Sequence, residues 1–186
     1  GIRSHSFVRD LMKEARDVAP DELCDMAQYR KAERTQACGG ADPLSVCVAY
    51  AQDELVYDAH GRIVAADPAA YAVMPREKRV NKFGLAYRRD AKLWLHKTMA
   101  DITVDAAVEL YKTHGWSSVL YDGLRTVDGA YALYRHALDS DMESGLLSLP
   151  GKSSHNKALA VDSMMTGKDG NEIDMGGHFD HLDMEV

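Results

Sequence analysis

The run Ser153 to Asp162 reads Ser-Ser-His-Asn-Lys-Ala-Leu-Ala-Val-Asp, and it sets an imidazole at 155 seven residues ahead of a carboxylate at 162. That spacing constrains the backbone. On one continuous helix the two side chains would share a face but lie about 10 Å apart along the axis, at a rise of about 1.5 Å per residue. On one flat strand they would point to opposite faces. For both to reach one cation the chain has to turn between them, and Asn156-Lys157 is a suitable turn. Leu159 to Met165, with apolar Leu159, Val161, Met164 and Met165, then reads as a buried strand that carries Asp162 into a site. Imidazole nitrogen and carboxylate oxygen both ligate zinc at about 2.0–2.2 Å, and a catalytic zinc has about three protein ligands plus an open position. Two such ligands are visible here. Taken alone, such a pair is more often a solvated or hydrogen-bonded surface pair than a metal site.

At 186 residues, 46% apolar and 27% charged, the chain fits one globular core with an additional N-terminal region. A net charge of −7 argues against a nucleic-acid surface, which needs clustered Lys and Arg. No apolar run approaches the ~20 residues that span a bilayer. Gly1 in place of an initiator methionine reads as a processed or engineered start, with any export signal already removed. Cys24, Cys38 and Cys47 lack Cys-x-x-Cys spacing. One reading is a Cys24–Cys38 or Cys38–Cys47 disulfide, helped by a Gly39-Gly40 turn, in an oxidising compartment. The other is three reduced thiols packed as small hydrophobes.

Periodicity predicts a helix over Phe7 to Val18, then a second from Pro20-Asp21 to about Ala37. Short strands are predicted over Val46–Tyr50, Glu54–Tyr57 and Arg62–Ala65, with His60-Gly61 as a hairpin turn. Thr103 reads as the N-cap of a helix whose Val104, Ala107, Val108 and Tyr111 fall at i, i+3, i+4 and i+7, ending at Gly115. Trp116–Tyr121 follows as a strand and Val127–Leu138 as a helix. Leu146 to Leu149 reads as a loop or short strand. Asp169-Gly170 suggests a tight hairpin between the strand holding Asp162 and a partner at Glu172–Met175. This order predicts an α+β fold, a small antiparallel sheet packed with helices.

Four blocks, in order, carry a resemblance to a known family. They are Asn81-Lys82-Phe83-Gly84 followed by Tyr87, Tyr121-Asp122-Gly123-Leu124-Arg125, the 153–162 run, and Met175-Gly176-Gly177-His178-Phe179-Asp180. Together they resemble the D-alanyl-D-alanine dipeptidases, zinc peptidases related to the D,D-carboxypeptidases of peptidoglycan metabolism. The resemblance covers roughly Asn81 to Asp183. It implies a zinc D,D-dipeptidase-like catalytic domain over residues 81–186, truncated at its C-terminus, while periodicity and the cysteines make residues 1–80 a helical N-terminal extension that could carry a disulfide. It implies zinc held by His155 and Asp162, with Arg125 polarising the scissile carbonyl. Ser153 would help hold the substrate, and Asp180 would receive the free amino terminus of a D-Ala-D-Ala dipeptide or another short peptidoglycan-derived peptide. A periplasmic or secreted location follows, with the cytoplasm as the alternative.

The chain departs from the family pattern in three places. Family members usually have glycine where this chain has Ala158, and tyrosine and proline where it has Leu124 and Thr126. The family also completes its site with a downstream Glu-x-x-His, and none occurs in these residues. Three readings follow. The chain is a piece of a longer enzyme, or His178 or His181 with Glu185 substitutes locally, or the protein is an inactive homologue that binds muropeptides without cleaving them. Two residues keep plainer alternatives, Arg125 as a strand-end ion pair with Asp122 and Asp180 as a loop cap.

Overall fold

The polypeptide between Leu23 and Val46 is woven into the same sheets and core as the polypeptide beyond residue 90. The structure is a computed structural model and describes residues 18–51, 55–57, 63–65, 87–88, 90–139 and 147–176. Among these, seven strands and three α-helices occur: β1 (Leu23–Asp25), α1 (Lys31–Ala37), β2 (Leu44–Val46), β3 (Leu55–Tyr57), β4 (Ile63–Ala65), β5 (Trp94–His96), α2 (Lys97–His114), β6 (Ser117–Asp122), α3 (Val127–Asp139) and β7 (Asp162–Thr166).

The central sheet has the order β2-β6-β7. β6 runs parallel to β2 and antiparallel to β7, so the sheet is mixed rather than purely antiparallel as the sequence predicts. β1 with β5 and β3 with β4 form two separate antiparallel pairs. The molecule is therefore a mixture of helices and small sheets. No helix among the described residues is long and apolar enough to cross a membrane.

α2 covers the core. Ala100, Val104 and Ala107 on its inner face pack with Met26, Leu44, Leu93, Leu95 and Leu120, and each of the larger side chains contributes about 1.5–3 kcal/mol through burial. The helix starts six residues before the expected cap. His96 is the N-cap, its Nδ1 accepting from Thr98 N–H at 3.2 Å, whereas Thr103 lies inside the helix and donates from Oγ1 to the Met99 carbonyl at 2.8 Å. Ala100 extends the apolar stripe one turn upstream of Val104, which is why the helix begins early. Its end is as the sequence predicts. Gly115 adopts φ 73° and returns its N–H to the Tyr111 carbonyl, a left-handed cap that glycine takes without steric cost.

Other expectations change. The predicted helix from Pro20 to Ala37 is instead a 3-10 turn at Pro20–Glu22, strand β1, a turn, and the seven-residue α1. β1 forms because Leu23–Asp25 finds a partner in Trp94–His96, about seventy residues away. Asp25 then ends it by accepting the Ala27 N–H. Arg34 is almost fully buried and clips α1 in place, with its guanidinium on Asp42 and on the carbonyls of Met26, Ala27 and Tyr29.

Of the strand predicted at Val46–Tyr50, β2 takes only the first residue, and Ala49–Ala51 is a 3-10 turn. The strand predicted over Leu159–Met165 starts only at Asp162. Leu159 is exposed, and it follows Ala158, whose left-handed backbone breaks the extended run. The hairpin after Thr166 closes through Gly167 N–H to the Asn171 carbonyl, but its partner is a single bridge at Glu172 rather than a strand to Met175. The predicted helix over Phe7–Val18 and the His60-Gly61 turn lie outside the described residues, Val18 excepted. Cys24, Cys38 and Cys47 are free thiols.

Candidate metal centre

Asp162 opens β7 and is paired in register with Asp122, the last residue of β6, next to an irregularity in the ladder between Leu120 and Asp122. Two carboxylates opposite one another on adjacent strands repel unless positive charge lies between them. Two cationic or ionisable groups converge there. Arg125 Nη2 lies 2.5 Å from Asp122 Oδ2 and 3.9 Å from Asp162 Oδ2. His155 Nε2 lies 3.5 Å from Asp162 Oδ1.

His155 arrives on a short 3-10 turn, Ser154–Lys157. Ser153 caps that turn, its Oγ accepting the His155 N–H at 3.2 Å. The turn then reverses at Ala158, buried and at φ 55°, whose N–H returns to the His155 carbonyl. This reversal is the one that the seven-residue spacing demands.

A second loop is stitched to the first. Arg125 N–H donates to the His155 carbonyl at 3.0 Å, and buried Asn156 donates from Nδ2 to the Arg125 carbonyl at 2.6 Å. Asn156 Oδ1 accepts from Gly151 N–H at 2.8 Å and from Ser153 N–H at 3.3 Å. Strand β5 presses on the same loop. A Cβ on Gly123 would stand 2.7 Å from the Trp94 carbonyl oxygen and 2.8 Å from Leu93 Cδ2, so only glycine fits.

His155 Nδ1 is 2.8 Å from the Gly123 carbonyl oxygen. A carbonyl only accepts, so Nδ1 carries the hydrogen and the neutral ring turns a lone pair on Nε2 toward Asp162. Two acceptors then face each other, which calls for a proton or a cation between them. Burial lowers the His155 pKa, but the Asp162 carboxylate outweighs it and leaves the ring raised above its ordinary value. Asp122 Oδ1 accepts from Tyr87 OH and Gly123 N–H, and Oδ2 from Arg125 Nε and Nη2. Burial pushes the Asp122 carboxyl up, against the pull of Arg125. The Tyr87 hydroxyl is likewise raised, by burial and by the Asp122 charge.

One donor atom each from Asp122, His155 and Asp162 lie within 4.8 Å of one another, a group that could hold a metal ion. His155, Asp162 and Arg125 are thus brought together. Ser153 stands at the start of the ligand turn, with its hydroxyl engaged as a cap. Asp180, His178, His181 and Glu185 lie outside the described residues. From the sequence alone Asp122 is only a partner for Arg125, Tyr87 has no task and Asn156 is a turn residue. The position of Asp122, last in an apolar run and three residues before an arginine, was the available signal. No family model matches the chain, and no curated protein matches it.

Proposed function

We propose that this protein is a zinc-dependent hydrolase of D-Ala-D-Ala or related short cell-wall peptides, with an α+β fold of the zinc D,D-peptidase kind. One observation carries the reading: the Nε2 lone pair of His155, oriented by the Gly123 carbonyl, and the Asp162 carboxylate share one small space beside a guanidinium. The two donors are of the kinds that zinc takes. Mixed nitrogen and oxygen ligation suits that ion, and a ligating histidine usually donates its other ring N–H to a carbonyl or carboxylate.

His155 and Asp162 would hold the ion. When bound there, zinc supplies Lewis-acid polarisation of a carbonyl and lowers the pKa of a water toward about 7. Asp122 already accepts four hydrogen bonds from the protein, so its task is to fix Arg125. Arg125 in turn offers N–H groups to the oxygen of the scissile amide as negative charge develops on it. The ion pair with Asp122 does not compete with that task, because it sets the plane of the guanidinium. The four sequence blocks supply the substrate class, and with it the roles of Ser153 and Asp180 toward the peptide.

The test is release of D-alanine from D-Ala-D-Ala by the zinc-loaded protein, abolished by a chelator and by Arg125→Ala. Zinc binding that His155→Ala eliminates, without any turnover, would favour the inactive muropeptide-binding homologue. No zinc binding at all would sink both.

A further inference from the structure

The first of the four sequence blocks reaches the site through one residue. Tyr87 lies 35 residues ahead of Asp122, yet its hydroxyl donates to Asp122 Oδ1 at 3.0 Å. The Arg125 guanidinium donates to that same hydroxyl. Gly123 N–H is the second donor to Oδ1, also at 3.0 Å, so both lone pairs of that oxygen are taken. Oδ2 is left to Arg125, which meets it with Nε at 3.0 Å and Nη2 at 2.5 Å. A carboxylate free to turn would offer the guanidinium one oxygen for each N–H, the bidentate pairing that arginine commonly makes. With Oδ1 occupied that turn is blocked. The guanidinium is held on a single oxygen instead, and Nη2 stays 3.9 Å from Asp162 Oδ2.

The tyrosine ring is seated against α3. Gly129, the third residue of that helix, is buried, and a Cβ there would stand 2.9 Å from Tyr87 Cε1 and 3.2 Å from Thr126 Oγ1. Glycine is a poor helix former. At this position its missing side chain is the space that the ring takes.

We infer that Tyr87 is a positioning residue for Arg125: by filling Asp122 Oδ1 it fixes the carboxylate, and the carboxylate fixes the guanidinium beside the space that His155 and Asp162 share. The inference rests on the hydrolase reading and deepens it, because it makes the aim of the oxyanion donor depend on a hydroxyl from outside the two site loops.

The experiment compares the unaltered, zinc-loaded chain with Tyr87→Phe, which keeps the ring and removes the hydroxyl, and with Gly129→Ala, which keeps the hydroxyl and crowds the ring. Proton exchange at Arg125 Nε, followed by nitrogen-15 NMR with Arg125→Lys to assign the signal, reads the guanidinium directly and needs no turnover. Both variants speed that exchange about tenfold, the order expected for one hydrogen bond to a charged group, while zinc affinity is unchanged. On D-Ala-D-Ala both lower kcat by about tenfold at unchanged KM, the mark of an interaction made in the transition state. The double variant is no slower than Tyr87→Phe alone, since the crowded ring then carries no hydroxyl to misplace. Unchanged exchange in either variant would overturn the inference. So would faster exchange with kcat untouched in an active chain, or a loss of zinc affinity as large as the loss of kcat, which would make Tyr87 a support of the whole site. Faster exchange in both variants of a chain that cleaves nothing even when unaltered leaves the placement of Arg125 by Tyr87 standing and removes the hydrolase reading.

Discussion

Asp122 and Asp162 face each other across adjacent antiparallel strands, one buried and the other about a third exposed. Arg125 supplies the positive charge that such a pair needs, and His155 adds to it only when its ring is protonated. Removing one carboxylate should therefore harm the fold in proportion to its burial. Asp122→Ala leaves Arg125 buried without its main partner and should cost about 3–5 kcal/mol. Asp162→Asn should cost much less. Urea unfolding midpoints of the two variants would reveal the order, and equal losses would contradict it.

The metal-free His155 should titrate above its ordinary value of 6.5. Because the folded pKa is raised, the stability it contributes is fully present below about pH 6.5 and is lost as pH rises through the folded value. Imidazole NMR shifts would give the midpoint, and Asp162→Asn should move it down. A midpoint at or below 6.5 in the unaltered chain would show that burial outweighs the carboxylate.

Zinc should raise the melting temperature. A ligand at one hundred times its dissociation constant adds about 2.7 kcal/mol, and the effect should vanish with EDTA, with His155→Ala, or below the pH at which the ring is protonated. Thermal scans with and without the ion suffice. A zinc shift that persists in His155→Ala would place the metal elsewhere.

Arg125→Lys should not rescue activity. Lysine keeps the charge but loses the fixed fork that Asp122 orients, so kcat on D-Ala-D-Ala should fall by about 10²–10³ for both Arg125→Lys and Arg125→Ala. Near-normal turnover in the lysine variant would mean that charge alone is enough.

Ala158 is buried and left-handed. Glycine there would relieve about 1–2 kcal/mol of strain and lose about 0.8 kcal/mol of methyl burial, so Ala158→Gly should stay within about 1 kcal/mol of the parent. Ala158→Val should be clearly destabilised, since β-branched residues avoid positive φ. Denaturant midpoints distinguish the two.

Much of this site could be read from the chain because its signals are local. The seven-residue spacing demanded a reversal between His155 and Asp162, and Ala158 makes it. Gly115 and the periodicity around Val104 marked the end and inner face of α2, and an apolar run led to Asp122. What escaped depends on distant partners. β1 is a strand only because Trp94–His96 lies beside it, and the parallel pairing of β2 with β6 leaves no mark in either segment. The opposition of Asp122 to Asp162 is a matter of register, which neither strand encodes alone. Asn156 looked like any turn residue, and its hydrogen bond to the Arg125 carbonyl requires knowing that residues thirty-one apart meet.

That meeting has a consequence for how the architecture can vary. Hydrogen bonds from Arg125 to His155 and from Asn156 to Arg125 clamp together the two ends of the excursion that begins with α3 and ends near Pro150. Chain leaving such a clamp returns to the same spot whatever its length, and doubling it would cost only about 0.6 kcal/mol in closure entropy. A change in the length of chain between α3 and Pro150 should therefore leave Arg125 and His155 where they are.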